Sequence, residues 1–108
     1  MLSQDKLHET IDRITKMEFY FDTIQKALEI NPALLQKEAP AGIMLQELAD
    51  YYESGQWLAD FEADEAGLLP SDLKRGNLSE DGIYNLLFEI EQTNFVELSS
   101  GIQKISPL

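Results

Sequence analysis

Apolar residues at the start of the chain recur at every third or fourth position, which places them on one face of a helix. The two interleaved series are Leu7, Ile14, Phe21 and Leu28, and Thr10, Met17 and Ile24. The pattern predicts one long helix over residues 5–30, packed against a neighbouring helix in the manner of a coiled coil.

Phe19 does not follow this pattern. It falls nearly opposite the apolar face, among charged residues. Either it packs on a second surface inside the monomer, or it contacts another chain. Phe19 is therefore a candidate interaction residue.

Proline and glycine divide the middle of the chain into shorter helices. We expect a short helix over 32–38, a break near Pro40 and a firmer helix over 42–53, with one continuous kinked helix as the alternative. Gly55 suits the left-handed position after that helix. A third helix is expected over 56–66, with Gly67 ending it. Residues 68–77 then form a loop with one helical turn at 71–74.

The last helix has a well-marked start. Ser79 is the predicted N-cap, with Glu80 and Asp81 in the first turn, where the helix dipole favours negative charge. The buried face should include Ile83 and Ile90. The helical pattern weakens after residue 93, and residues 98–108 are expected to form a loosely held tail.

These elements predict a single all-α domain over residues 1–108, an antiparallel bundle of three to four helices with a long N-terminal helix. The apolar fraction of 44% is sufficient for a core without disulfides or metals. Large aromatic side chains close the packing of small helical domains. The structural residues expected in that core are Tyr51, Tyr52, Trp57, Phe61 and Tyr84, and an aromatic ligand pocket is the alternative.

The charge is strongly negative, with a formal net charge of -12. No basic residue lies between Lys37 and Lys74, an interval that contains nine acids. Such a surface repels phosphate backbones and anionic lipids, so nucleic-acid and membrane-surface binding are disfavoured. A basic protein partner, or simple solubility, fits better. The chain has no cysteine, signal-peptide pattern or long apolar stretch, and we expect it in the cytoplasm.

One acidic run offers candidate metal ligands. Asp60, Glu62 and Asp64 alternate like the first ligands of a calcium loop, but the sixth position is Glu65 where that loop needs glycine. On a helix, Asp60 and Asp64 share a face and, with Glu65, could bind Mg²⁺, Ca²⁺ or Mn²⁺. The alternative is a solvated acidic face partly neutralised by Lys74 and Arg75.

Groupings typical of catalysis are missing from the sequence. His8 is the single histidine, no serine is flanked as in a nucleophile elbow, and the glycines form no phosphate-binding loop. We therefore expect no enzyme activity, no catalytic residue and no cofactor.

The segment from residue 51 to residue 87 resembles a bacterial family of unknown function, family 4298, whose small proteins are found largely in Gram-positive bacteria. The residues that carry the resemblance are Tyr51-Tyr52-Glu53-Ser54, Trp57, Asp60, Asp64-Glu65, Gly67, Pro70, Leu73-Lys74-Arg75-Gly76, Leu78-Ser79-Glu80-Asp81-Gly82 and Tyr84. Asn77 stands where an apolar residue is expected, and the tail past Phe95 is peculiar to this chain. The resemblance implies a small helical protein without an assigned activity.

The acids and bases of that segment are expected to form a charged network that holds the loop over 67–77. A partner-binding face on the same loop, with Lys74 and Arg75, is the second interpretation. The leading functional hypothesis is a non-catalytic interaction or regulatory module that binds another protein or a second copy. The alternatives are a carboxylate metal-binding protein or metal-dependent hydrolase, and an acidic mimic of nucleic acid.

Overall fold

The computed structural model describes the backbone of residues 3–105 and the side chains of residues 3–93. Within that range the chain contains four α-helices and two short 3₁₀ helices, and no strand. The α-helices are α1 (Gln4–Ile30), α2 (Pro40–Glu53), α3 (Gln56–Glu65) and α4 (Gly82–Ile105), and the 3₁₀ helices are η1 (Pro32–Leu35) and η2 (Gly76–Leu78). The predicted all-α class with a long first helix is confirmed. None of the described helices combines the length and the apolar character needed to cross a bilayer.

Helix α1 is the element on which the others pack. Ser3 caps it, because its hydroxyl accepts a hydrogen bond from the Lys6 backbone N–H at 3.2 Å. The apolar face predicted from the sequence is buried from Thr10 to Ile24, with Leu7 and Leu28 half-buried, and Ile14 and Ile24 are completely enclosed. The core residues are Ile14, Met17, Phe21, Ile24, Leu48, Tyr51, Trp57, Leu78, Ile83, Leu86 and Ile90.

The connection between α1 and α2 contains the predicted break. Asn31 caps the short helix η1 by accepting a hydrogen bond from the Ala33 backbone N–H at 3.0 Å. Pro40 does not interrupt α2 but begins it, at the position where a proline's missing N–H costs no hydrogen bond. Gly55, with φ of 91°, turns the chain directly from α2 into α3.

Two predictions for the last helix are wrong. Helix α4 begins at Gly82, so Ser79 is not its N-cap and instead ends η2, the turn that binds α1 through Asn77. Tyr84 was expected in the core but is 56% exposed, because it lies on the opposite side of α4 from the buried residues and stacks on Phe88. The helix continues to Ile105, and the packing of the tail over 98–108 lies outside the described side chains.

Candidate functional site

A buried carboxylate joins the first three α-helices. Asp60 of α3, 2% exposed, accepts hydrogen bonds from Arg13 Nε at 2.9 Å and from Arg13 Nη2 at 2.7 Å. The Tyr51 hydroxyl of α2 donates to the same carboxylate at 2.7 Å. The hydrogen bond to Asp60 raises the pKa of Arg13, and burial together with the bond to Asp60 raises the pKa of Tyr51. The cluster therefore holds a cationic arginine and a neutral tyrosine around one anion.

A second buried cluster joins α1 to the turn η2. Glu18, 6% exposed, accepts hydrogen bonds at Oε1 from the Asn77 backbone N–H at 2.9 Å and from Asn77 Nδ2 at 2.7 Å. The Asn77 carbonyl in turn accepts a hydrogen bond from the Trp57 indole N–H at 2.7 Å. Asn77 was noted as a polar residue where an apolar one is expected. It is completely buried, and its hydrogen bonds link α1 to α3.

Trp57 packs against two aromatic neighbours between the helices. Its ring stacks on Phe61 with centroids 5.1 Å apart and meets Tyr52 at 5.0 Å. Trp57 and Tyr51 are buried, while Tyr52 and Phe61 are half-buried and pack against the core. These four aromatic residues therefore fill space between the helices.

Arg75 organises the loop between α3 and η2. Its Nη2 donates to the Pro70 carbonyl at 2.6 Å, and its Nη1 donates to the Ser71 carbonyl at 3.3 Å. Its Nε lies 2.9 Å from Asp64 Oδ1, an ion pair. The Arg75–Asp64 ion pair is the part of the predicted charged network that holds the loop. Lys74 instead pairs with Asp22 of α1 at 3.3 Å. Arg75, predicted as a candidate interaction residue, makes these contacts within its own chain.

A groove of about 500 Å³ separates α1 from this loop. We call it the Phe19 groove, and its lining residues are Ile11, Thr15, Glu18, Phe19, Asp22, Pro70, Asp72, Leu73 and Lys74. On the helix side, Ile11, Thr15 and Phe19 are four residues apart and form one stripe. Phe19 is 59% exposed, although apolar residues stand on both sides of the groove. The groove brings two of the predicted interaction residues together, Phe19 and Lys74.

The candidate metal ligands are not brought together. Asp60 points into the core towards Arg13, Asp64 pairs with Arg75, and Glu65 is exposed at the end of α3. Among the residues that the structure describes, no three His, Cys, Asp or Glu side chains form a group suited to a metal ion.

Sequence reasoning did not identify Arg13 and Glu18 as residues with buried partners. Their positions did contain a signal, because Glu18 is four residues after Ile14 and Arg13 is three residues after Thr10, at the edges of the apolar face. A charged residue at such a position needs a buried partner. The partner cannot be identified from the helix itself, because Asp60 is 47 residues away along the chain and Asn77 is 59 residues away.

Comparison with known proteins gives a match to a protein family. The sequence model of a family described as a domain of unknown function (DUF4298) matches residues 14–98. That range includes Glu18, Phe19, Asp60 and the loop that carries Arg75. No curated protein and no solved structure matches the chain significantly.

Proposed function

The chain belongs to the DUF4298 family of domains of unknown function, and from that premise we propose that it is a non-catalytic interaction module that binds a partner protein through the Phe19 groove. The observation that carries the proposal is a large aromatic side chain left 59% exposed at a concave surface. A concave surface lets a partner enclose Phe19 on several sides at once, which is how binding hot spots exclude water.

The energy available from this contact is considerable. Burying a fully exposed phenylalanine side chain contributes about 1.5–3 kcal/mol. Because Phe19 is 59% exposed, covering the rest of it contributes about 1–2 kcal/mol. Ile11 and Leu73 are half-buried and Pro70 is exposed, so a partner that fills the groove covers further apolar surface. The free energy gained by covering these apolar surfaces is enough for Phe19 to dominate a small interface, although the entropic cost of association offsets part of it.

The state of the carboxylates supports a binding role over catalysis. Asp60 and Asp64 are engaged by arginine side chains, and Glu18 by Asn77. His8 is exposed near the start of α1. These contacts favour an interaction module over the alternative of a metal-dependent hydrolase using Asp60, Asp64 and Glu65.

The net charge supports a protein partner. A formal charge of -12 disfavours nucleic acid and anionic membranes and attracts proteins with basic surfaces. A cytoplasmic location is part of the proposal and is consistent with a sequence that contains no cysteine.

Site-directed photo-crosslinking in cells of the native host tests the proposal. A photoreactive amino acid replaces Phe19 in one variant and, as the matched control, Leu58 in another, because Leu58 is 50% exposed on α3 outside the groove. We expect a discrete cross-linked species from position 19 that position 58 does not give. A product between two copies identifies the partner as a second copy. Identical patterns from both positions, or no product together with a monomeric purified protein, refute the proposal.

A further inference from the structure

The Phe19 groove contains a buried carboxylate without a counter-ion. Glu18 lines the groove and is only 6% exposed. No basic side chain of residues 3–93 forms an ion pair with it. Lys74, the basic residue of the groove lining, pairs with Asp22 at 3.3 Å instead. Buried charges in proteins are normally paired, so this one is unusual.

The two oxygens of Glu18 have different surroundings. Oε1 accepts both hydrogen bonds from Asn77. Oε2 has no hydrogen-bond donor among the described residues. It lies beside Gly76, where the Cβ of any larger residue would stand 2.9 Å from Oε2. The carboxylate is therefore held in place by one oxygen, while the absence of a side chain at Gly76 lets the other oxygen approach the turn η2 closely.

This arrangement restricts the chemistry of a ligand. A purely apolar segment that filled the groove would remove water from Glu18 and leave its charge uncompensated, which is costly. A ligand that brings a cation converts that cost into a charge-assisted hydrogen bond. Asp22 and Asp72 also line the groove, so its lining carries three acids against one base. The charge of the groove is complementary to a cation placed next to an apolar group.

We infer that the Phe19 groove binds a peptide segment of the partner that places an arginine or lysine against Glu18 and an apolar side chain against Phe19. The inference rests on the proposed function and specifies its ligand. The apolar walls at Ile11 and Leu73 suit the aliphatic part of a long basic side chain. A polyamine supplies the cation but has no side chain to cover Phe19, and for that reason we assign the groove to a peptide.

Selection from a random-peptide phage library on the immobilised full chain tests this inference. Enriched peptides are synthesised with arginine and with citrulline, its neutral analogue of the same shape. Affinities are measured for the wild type and for Glu18→Gln, Phe19→Ala and Glu62→Gln. Glu18→Gln keeps the side-chain size and an oxygen for Asn77, and Glu62 is an exposed acid outside the groove. Trp57 fluorescence checks that each variant is folded.

We expect the enriched peptides to share a basic residue next to an apolar one. Glu18→Gln and the citrulline exchange should each weaken binding at least about tenfold, and their effects should not add, because both remove the same contact. Phe19→Ala should also weaken binding, and Glu62→Gln should not. The citrulline exchange is measured on the wild-type chain. It therefore shows whether the peptide needs a cation even if Glu18→Gln does not fold.

The contrary outcomes separate the two proposals. Peptides that need Phe19 but tolerate Glu18→Gln and citrulline overturn the inference and leave the proposed function intact. If no peptide is enriched, or if binding is insensitive to Phe19→Ala, the Phe19 groove is not a peptide site and the inference fails, whereas cross-linking from position 19 decides the proposed function separately. Displacement of the bound peptide by spermidine at equal concentration would assign the groove to polyamines and overturn the inference.

Discussion

The cluster around Asp60 allows a quantitative prediction for Asp60→Asn. The substitution keeps the shape of the side chain but removes its charge and replaces one acceptor oxygen by an NH₂ group. That group faces a donor from either Arg13 or Tyr51, so at least one of the three hydrogen bonds becomes a donor–donor contact. Arg13 then remains in the helix junction without its counter-ion.

The magnitude follows from the burial of the two partners. Removing one partner of a buried ion pair costs about 3–5 kcal/mol. The side chain of Asp60 is 2% exposed, but that of Arg13 is 27% exposed and keeps some contact with water. We therefore expect a loss at the lower end, about 3 kcal/mol, out of a total stability of about 5–15 kcal/mol for a domain of this kind.

Urea unfolding followed by the fluorescence of Trp57 measures this loss. Trp57 is the single tryptophan and is buried against Phe61, so its emission reports the folded junction. With a denaturant slope of about 1.5 kcal/mol/M, the midpoint should fall by about 2 M. Glu9→Gln is the matched control, because its partner Lys6 lies 3.8 Å away and both are exposed, and it should change stability by less than about 0.5 kcal/mol.

Substitutions of Arg13 and Asp60 should not have additive effects on stability. In the variant that carries both Arg13→Met and Asp60→Asn, the cation left without a partner is removed, so the double variant should lose less than the sum of the single losses. If Asp60→Asn unfolds within about 0.5 kcal/mol of the wild type, as Glu9→Gln should, the buried cluster does not hold the helices together and the argument is refuted.

Three further predictions concern the same framework. Tyr51→Phe should cost about 1–2 kcal/mol at neutral pH through its lost hydrogen bond. The raised pKa of Tyr51 means that the folded chain keeps a proton which the unfolded chain releases above about pH 10. The stability that Tyr51 contributes is thus fully present below that pH. Above it, urea titrations should show that the wild type loses about 1.4 kcal/mol per pH unit more than Tyr51→Phe, and equal losses would contradict the prediction. Gly42→Ala should destabilise by about 2–3 kcal/mol in thermal unfolding, because its methyl group overlaps the Gln36 carbonyl, and a wild-type midpoint would contradict this. Trp57→Ala should cost about 3–5 kcal/mol by circular dichroism, and a loss below about 1 kcal/mol would show that its ring is dispensable.

The helices could be predicted because their signals are local. The seven-residue recurrence from Leu7 to Leu28 located α1 to within one residue, and Gly55 marked the turn into α3. Ser79 was misleading for a physical reason. Its sequence context is that of an N-cap, but hydrogen bonds between Asn77 and Glu18 hold the preceding residues in a 3₁₀ turn, so the helix starts later. A contact between distant parts of the chain overrode a local preference.

The candidate site was only partly predictable. Phe19 could be identified because an apolar residue on a polar helix face is visible in the sequence. The groove beside it depends on a loop whose path is set by Arg75 and its bonds to the backbone of Pro70 and Ser71. Nothing in a helical period indicates how such a loop folds back onto α1. The role of Glu18 was missed for the same reason, since its contacts Asn77 and Gly76 lie almost 60 residues further along the chain.

The two buried clusters connect α1 to the elements that pack beside the groove. Arg13 fixes α3 on α1 through Asp60, and Glu18 fixes η2 on α1 through Asn77. Phe19 directly follows Glu18, so a side chain anchored in the core sets the direction of the neighbouring exposed one, about 100° around the helix. Substitutions that remove one of these hydrogen-bonded contacts, such as Asn77→Ala, should therefore reduce stability and ligand affinity together. Phe19→Ala should reduce affinity alone, and this difference is expected of a binding surface built on a rigid support.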